Sequence, residues 1–192
     1  MHRYNNFPMR GNSFSRAFGR LGMWLLGGWK VVGQMPDIKK AIVPVAPHTS
    51  NWDFFIGVFA MLALGLKLSF LGKKEIFVFP VRRLLTWLGG VPVNRASAHG
   101  VVADIAKQFN EREQLILALS PEGTRSKVEH WRTGFLHMAR AAKVPVVPVA
   151  LDFAKREIQI GQPIEIDDDI EKGLKEVQAF TRQAQAKYPE KA

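Results

Sequence analysis

Apolar residues recur along this chain in two rhythms. Short solid runs, Ala41–Ala46 (AIVPVA), Leu115–Leu119 (LILAL) and Val144–Leu151 (VPVVPVAL), read as buried strands. Leu68–Leu71, Val91–Val93 and Glu157–Ile160 predict shorter ones. Between them, apolar positions repeat at helical spacing. Phe54–Leu66 (FFIGVFAMLALGL) predicts a core helix, and residues 80–88 an apolar-basic helix that Gly89-Gly90 ends. Residues 99–113 carry Val101, Val102, Ile105 and Phe109 on one helical face, and residues 133–142 carry Phe135, Met138, Ala139 and Ala142. Ile170, Leu174 and Val177 mark a last helix ending near Lys187. At the start, residues 1–13 read as a loose basic arm. Residues 14–33 then read as an amphipathic helix with Phe14, Phe18, Leu21, Trp24 and Leu25 apolar and Arg16, Arg20 and Lys30 beside them. That helix suits a bilayer interface, and it equally suits packing onto the domain core. Gly27-Gly28 weakens it.

Alternation of strands and helices predicts a single-domain α/β fold. The expected sheet is mixed and mostly parallel, flanked by helices, with an N-terminal amphipathic helix. The organisation reads as a basic arm and interfacial helix over residues 1–35 and the main domain over 36–192. In open α/β sheets, functional loops lie at the carboxyl ends of strands, and two motifs below follow strands directly.

Composition narrows the chemistry. The 192 residues suit one domain. There are no cysteines, which excludes a disulfide scaffold, a cysteine zinc site and a cysteine nucleophile. No cofactor and no metal-ligand set is expected. The chain holds 27 Lys+Arg against 17 Asp+Glu, a formal charge of +10. Residues 1–95 hold 13 of the basic and 3 of the acidic side chains, so the whole excess lies in the first half. Such a field attracts nucleic acid, phosphorylated metabolites or an anionic membrane surface. The sequence shows no recognisable nucleic-acid motif. A spanning helix needs about 20 apolar residues, and the longest uncharged apolar run, Phe54–Leu66, has 13. No signal peptide is expected.

Two loops carry candidate chemistry. His48-Thr49-Ser50-Asn51-Trp52-Asp53 sets an imidazole five residues before a carboxylate. On one regular helix they would stand about 140° apart. With His48 in a loop and Asp53 in the first helical turn, the ring can fold back onto the carboxylate. That fixes one nitrogen and leaves the other to take a proton. Taken alone, the segment is also compatible with a capping loop carrying an incidental histidine. After LILAL comes Ser120-Pro121-Glu122-Gly123-Thr124-Arg125-Ser126, where glycine permits close backbone approach and arginine can grip phosphate in two-pronged fashion. Lys73, Lys74 and Arg95 are further cationic candidates.

Together these segments resemble the glycerolipid (lysophosphatidate-type) acyltransferase family. HTSNWD (His48–Asp53), GGVPVNR (Gly89–Arg95), PEGTRS (Pro121–Ser126) and VPVVPV (Val144–Val149) match its four blocks in order. GKKE (Gly72–Glu75) and RTGFLHMARAAKVP (Arg132–Pro145) fit its connecting segments. The resemblance spans about residues 41–151. It implies acyl transfer from a thioester, on CoA or acyl carrier protein, to a hydroxyl of a glycerol-phosphate lysolipid. His48 would be the general base and Asp53 its orienting partner, with no acyl-enzyme. Arg125, Arg95 and Lys73 would hold the acceptor phosphate. Glu122 and Gly123 would shape that pocket, with Thr124 also among the substrate-binding residues. VPVVPV is expected either to line the acyl site or to form a plain core strand. The protein would sit in the cytoplasm, peripherally bound to the inner face of the cell membrane. A thioesterase or lysophospholipase would need the same base but no phosphate clamp. A non-catalytic anionic-lipid module would account for the charge but not for the His–Asp spacing.

Overall fold

A computed structural model describes residues 4–93 and 98–192, without the side chains of Lys73, Ala98 and His99. The chain runs α1 (Ser13–Leu25), β1 (Lys30–Val32), β2 (Lys40–Ala46), α2 (Trp52–Leu64), β3 (Ser69–Lys73), α3 (Val81–Leu88) and β4 (Gly90–Val93). Then come α4 (Ala98–Glu111), β5 (Leu115–Leu119), α5 (Gly134–Ala142), β6 (Val149–Asp152), β7 (Glu157–Ile160) and α6 (Ile170–Thr181). Among the described residues these strands form one sheet of seven, in the order β1-β7-β6-β2-β5-β3-β4. All adjacent pairs are parallel except the β6–β7 hairpin.

Crossover connections carry α2 and α3 over one face of the sheet and α4 and α5 over the other. Two cores follow. On the first face Ile56, Ala60 and Met61 of α2 and Leu88 of α3 pack on Val43 and Ile116. On the second, Ile105 and Phe109 of α4 and Phe135, Leu136 and Ala139 of α5 pack on Ile42 and Leu117. The parallel strands β2, β5, β3 and β4 all deliver their carboxyl ends to one edge. The loops after β2 and β5 meet there. The register pairs Pro44 with Leu119, so the chain after Ala46 and the chain after Leu119 leave the sheet side by side.

Three elements differ from the sequence reading. The first helix stops at Leu25, because Gly27 and Gly28 take φ of 118° and 79°, and residues 30–32 become strand β1. VPVVPVAL is not one strand. Pro145 and Pro148 lack the N–H a ladder needs, so only Val149–Asp152 is β6, and Val146 makes isolated bridges to Ile42 and Ile164. The last helix ends at Thr181, short of Lys187. The arm is held down as well: backbone N–H groups of Asn5, Asn6 and Phe7 all donate to the Asp37 carboxylate, and Phe7, Met23 and Trp29 join the first core.

α1 lies on α2 through glycines. A methyl on Gly19 would strike the backbone nitrogen of Ala63 and the carbonyl of Phe59, and one on Gly22 would enter the Phe59 ring. Its apolar face, Phe14, Phe18, Leu21, Trp24 and Leu25, is exposed. Among the described residues, no helix is long and apolar enough to cross a membrane.

Candidate active site

β2 ends at Ala46 and α2 begins at Trp52, so His48–Asn51 form a short connector at the carboxyl edge of the sheet. Asp53 sits in the first turn of α2 and is buried. The connector turns tightly because Ser50 binds that carboxylate twice, its N–H to Oδ2 and its hydroxyl to Oδ1, each at 2.8 Å. The same hydroxyl accepts the Trp52 N–H at 3.1 Å. The turn folds the imidazole back, and His48 Nδ1 lies 3.2 Å from Asp53 Oδ2. The His48 side chain is 21% exposed. Burial lowers its pKa, the Asp53 charge opposes that shift, and the Arg125 charge adds to it. The ring is therefore favoured in its neutral form, with Nδ1 engaged and Nε2 the remaining nitrogen.

The loop after β5 locks onto this turn. Buried Glu122 accepts the backbone N–H of His48 through Oε2 at 2.9 Å. Burial pushes the Glu122 carboxyl up to about 7; the His48 N–H lowers it, and nearby Asp53 raises it further. Gly123 takes φ +68°, and a Cβ there would sit 3.0 Å from Arg132 Nε. Thr124 and Arg125 are exposed, on the wall of a cavity of about 1670 Å³ that also reaches His48 and Asp53. One side of that cavity is lined by Phe54, Val58, Met61, Leu64 and Phe70 between α2 and the sheet, and the other runs past Arg132 to α5.

The structure thus brings together His48, Asp53, Glu122, Gly123, Thr124 and Arg125. Arg95 and the Lys73 side chain lie outside the described residues; the Lys73 backbone ends β3 at the same sheet edge. In the VPVVPV block, Val144, Val146 and Val147 are core, and Val149 lines the cavity. Among the described residues, no cluster of three or more His, Cys, Asp or Glu could hold a metal ion.

Two contributors escape sequence reasoning. Arg132 crosses Gly123, and its N–H donates to Pro121 O at 3.0 Å. The only hint in the sequence is a basic residue in the RTG segment. The C-terminal segment also seats on the His48 turn. The Tyr188 N–H donates to buried Thr49 Oγ1 at 3.3 Å, Lys187 Nζ lies 4.7 Å from the Trp52 ring centre, and Gln185 O accepts the Phe153 N–H. Nothing local in the sequence signals it.

The family described as Acyltransferase matches residues 29–152. The 1-acyl-sn-glycerol-3-phosphate acyltransferase of Escherichia coli (strain K12) is 30% identical over 165 residues, covering 81% of this chain and 65% of that relative. The protein of the same name from Haemophilus influenzae is 29% identical, covering 83% and 68%. The chain thus spans about two thirds of the length of these relatives. In fold it is similar to the crystal structure of the 1-acyl-sn-glycerophosphate (LPA) acyltransferase, PlsC, from Thermotoga maritima. That likeness has a TM-score of 0.62 and 23% identity, over 88% of this chain and 76% of the other.

Proposed function

Because the chain belongs to the acyltransferase family, we propose that it moves a fatty acyl group from a thioester to a hydroxyl of a lysophosphatidate-like lipid. The reaction is a step of phospholipid synthesis. The observation that carries this reading is the His48–Asp53 contact at 3.2 Å, on the wall of a cavity that the Arg125 side chain also lines. The relatives' names supply the acceptor class.

In this mechanism Asp53 accepts from Nδ1–H and fixes the tautomer with Nε2 unprotonated. Nε2 takes the proton of the acceptor hydroxyl as its oxygen attacks the thioester carbon. Collapse of the tetrahedral intermediate breaks the C–S bond, and the departing sulfur takes the proton back from His48. The chain has no cysteine, which agrees with direct transfer in a ternary complex. Arg125, Arg95 and Lys73 bind the acceptor phosphate, where a guanidinium offers two parallel donors. Glu122 and Gly123 shape that pocket, and Thr124 lines it. The apolar wall along α2 takes the acyl chain. The exposed face of α1 rests on an anionic bilayer, with the protein peripherally bound on the cytoplasmic side.

The test is thiol release from acyl-CoA and from acyl carrier protein thioesters, with and without lysolipids in the reaction. The reading expects release that depends on a phosphorylated lysolipid, with one carrier favoured. Equal release without any lysolipid would assign a thioesterase instead.

A further inference from the structure

The exposed apolar face of α1 has a counterpart that the proposed reaction does not use. Residues 76–87, IFVFPVRRLLTW, follow β3 and run through α3. Only Leu85 among them is buried. Ile76, Val78, Val81 and Leu84 face water, Phe79 is 84% exposed, and Trp87 is 60% exposed. A monomeric soluble domain rarely leaves such a run uncovered.

Charge says what covers it. Lys74, Arg82 and Arg83 are exposed around the apolar side chains, and Glu75 is the single acid in residues 74–87. Arg10 stacks 4.5 Å from the Trp87 ring centre and donates to the Trp87 carbonyl at 2.9 Å. A two-fold contact with a second copy would bring these cations against their own equivalents. A protein partner would need an acidic apolar groove. An anionic bilayer neutralises the cations and takes up the aromatic rings at once. A notch of about 670 Å³, lined by Phe77, Phe79, Arg82, Arg83, Thr86 and Trp87, offers guanidinium donors for a headgroup phosphate beside apolar walls.

Position agrees. α3 lies on the same sheet face as α2, against which α1 packs. Arg10, bound to Trp87, stands two residues before the α1 cap at Asn12. The segment begins at the sheet edge that carries the His48 turn.

We infer that Ile76–Trp87 is a second bilayer-inserting surface, which takes anionic phospholipid at the rim of the site. The purpose assigned to it, presenting a lysolipid to His48 without release into water, rests on the acyltransferase reading. Its binding role does not.

The absence of cysteine makes the test direct. A single cysteine is introduced by Phe79→Cys, by Phe14→Cys on α1 or by Lys175→Cys on α6, and each is labelled with an environment-sensitive fluorophore. Vesicles of phosphatidylcholine with phosphatidylglycerol are then added. The probe at position 79 is expected to blue-shift, to be quenched by a doxyl group on the lipid acyl chain and to resist aqueous iodide; the probe at 175 stays unchanged. A probe at 79 that stays open to iodide while the one at 14 becomes shielded would overturn the inference. So would a blue shift that grows with protein concentration in the absence of vesicles, which would assign the surface to a second copy. In unlabelled protein, Phe79→Ser with Trp87→Ser should weaken vesicle binding roughly tenfold or more. Turnover of detergent-dispersed lysolipid should hold while turnover of vesicle-borne lysolipid falls. Equal loss in both would contradict the presenting role, whereas loss of all turnover in the parent protein, with the probe result intact, would strike only the acyltransferase reading.

Discussion

At the scale of single residues, the site is a buried acid, a half-buried base and a second buried carboxyl. The second carboxyl touches the base's backbone rather than its ring. Glu122 therefore acts on His48 by holding its N–H, and Asp53 acts on the ring itself. Replacing Asp53 with Asn keeps the size but offers Nδ1 a donor as readily as an acceptor. The expected result is a large fall in kcat with little change in KM, read by steady-state kinetics. Glu122 also makes stability depend on pH. Its carboxyl sits at about 7 in the folded protein against an ordinary 4.5. Between those values the folded state holds a proton that the unfolded chain releases, so stability falls as pH rises through that window. The depressed His48 pKa contributes with the opposite sign below its ordinary value. The informative quantity is therefore the difference between wild type and Glu122→Gln. Melting curves from pH 4.5 to 7 should show the variant gaining on the wild type as pH rises. A constant offset would mean that Glu122 does not titrate there. Arg125→Ala should raise KM for the phosphorylated acceptor and leave KM for the thioester nearly unchanged. HTSNWD and PEGTRS were legible as separate motifs because each is local. The Glu122–His48 bond was not, because it spans 74 residues and depends on the β2–β5 register that sets Pro44 beside Leu119.

At the scale of elements, the sequence rhythm located the strands well wherever an apolar run was unbroken or alternated cleanly with polar residues. Ala41–Ala46, Leu115–Leu119 and Glu157–Ile160 all fall in strands. Two of the three misreadings fall at glycine and proline; the third, the last helix ending at Thr181 short of Lys187, does not. Two glycines with positive φ cut the first helix, and two prolines split VPVVPVAL into bridges and a short strand. The α1–α2 contact surface was also not marked in sequence, because it is made by Gly19 and Gly22, which carry no side chain. Gly19→Ala should cost about 1–3 kcal/mol through overpacking, measured by denaturant unfolding; an unchanged midpoint would mean the helices separate freely. The C-terminal segment was legible only as the tail of a helix. Its Tyr188 N–H bond to Thr49 links residues 139 positions apart. Thr49→Val, close in shape but without the acceptor, should lower kcat while the fold is retained. Thr49→Ser should restore it.

At the scale of the whole molecule, charge and apolar exposure coincide. The +10 excess lies in residues 1–95, which hold both α1 and α3. Vesicle binding should weaken as salt rises, because exposed charges are screened within about 10 Å at 0.1 M ionic strength. Each cation near an anionic leaflet contributes on the order of 1 kcal/mol. Removing residues 1–33 is a poor probe of this, because Phe7, Met23 and Trp29 belong to the core. Phe14→Ser with Trp24→Ser changes only exposed side chains. The amphipathic pattern of α1 was visible in sequence, but its orientation was not: the same periodicity describes a face turned to the core and a face turned to a bilayer. The claim on which the functional account depends is that His48 carries the reaction. It is tested most directly by acylated-lipid formation from a thioester and lysophosphatidate on anionic vesicles, comparing wild type with His48→Ala. The expected loss is on the order of 10²–10⁴-fold, with vesicle binding and melting temperature retained. Turnover near the wild-type rate in that variant would contradict it.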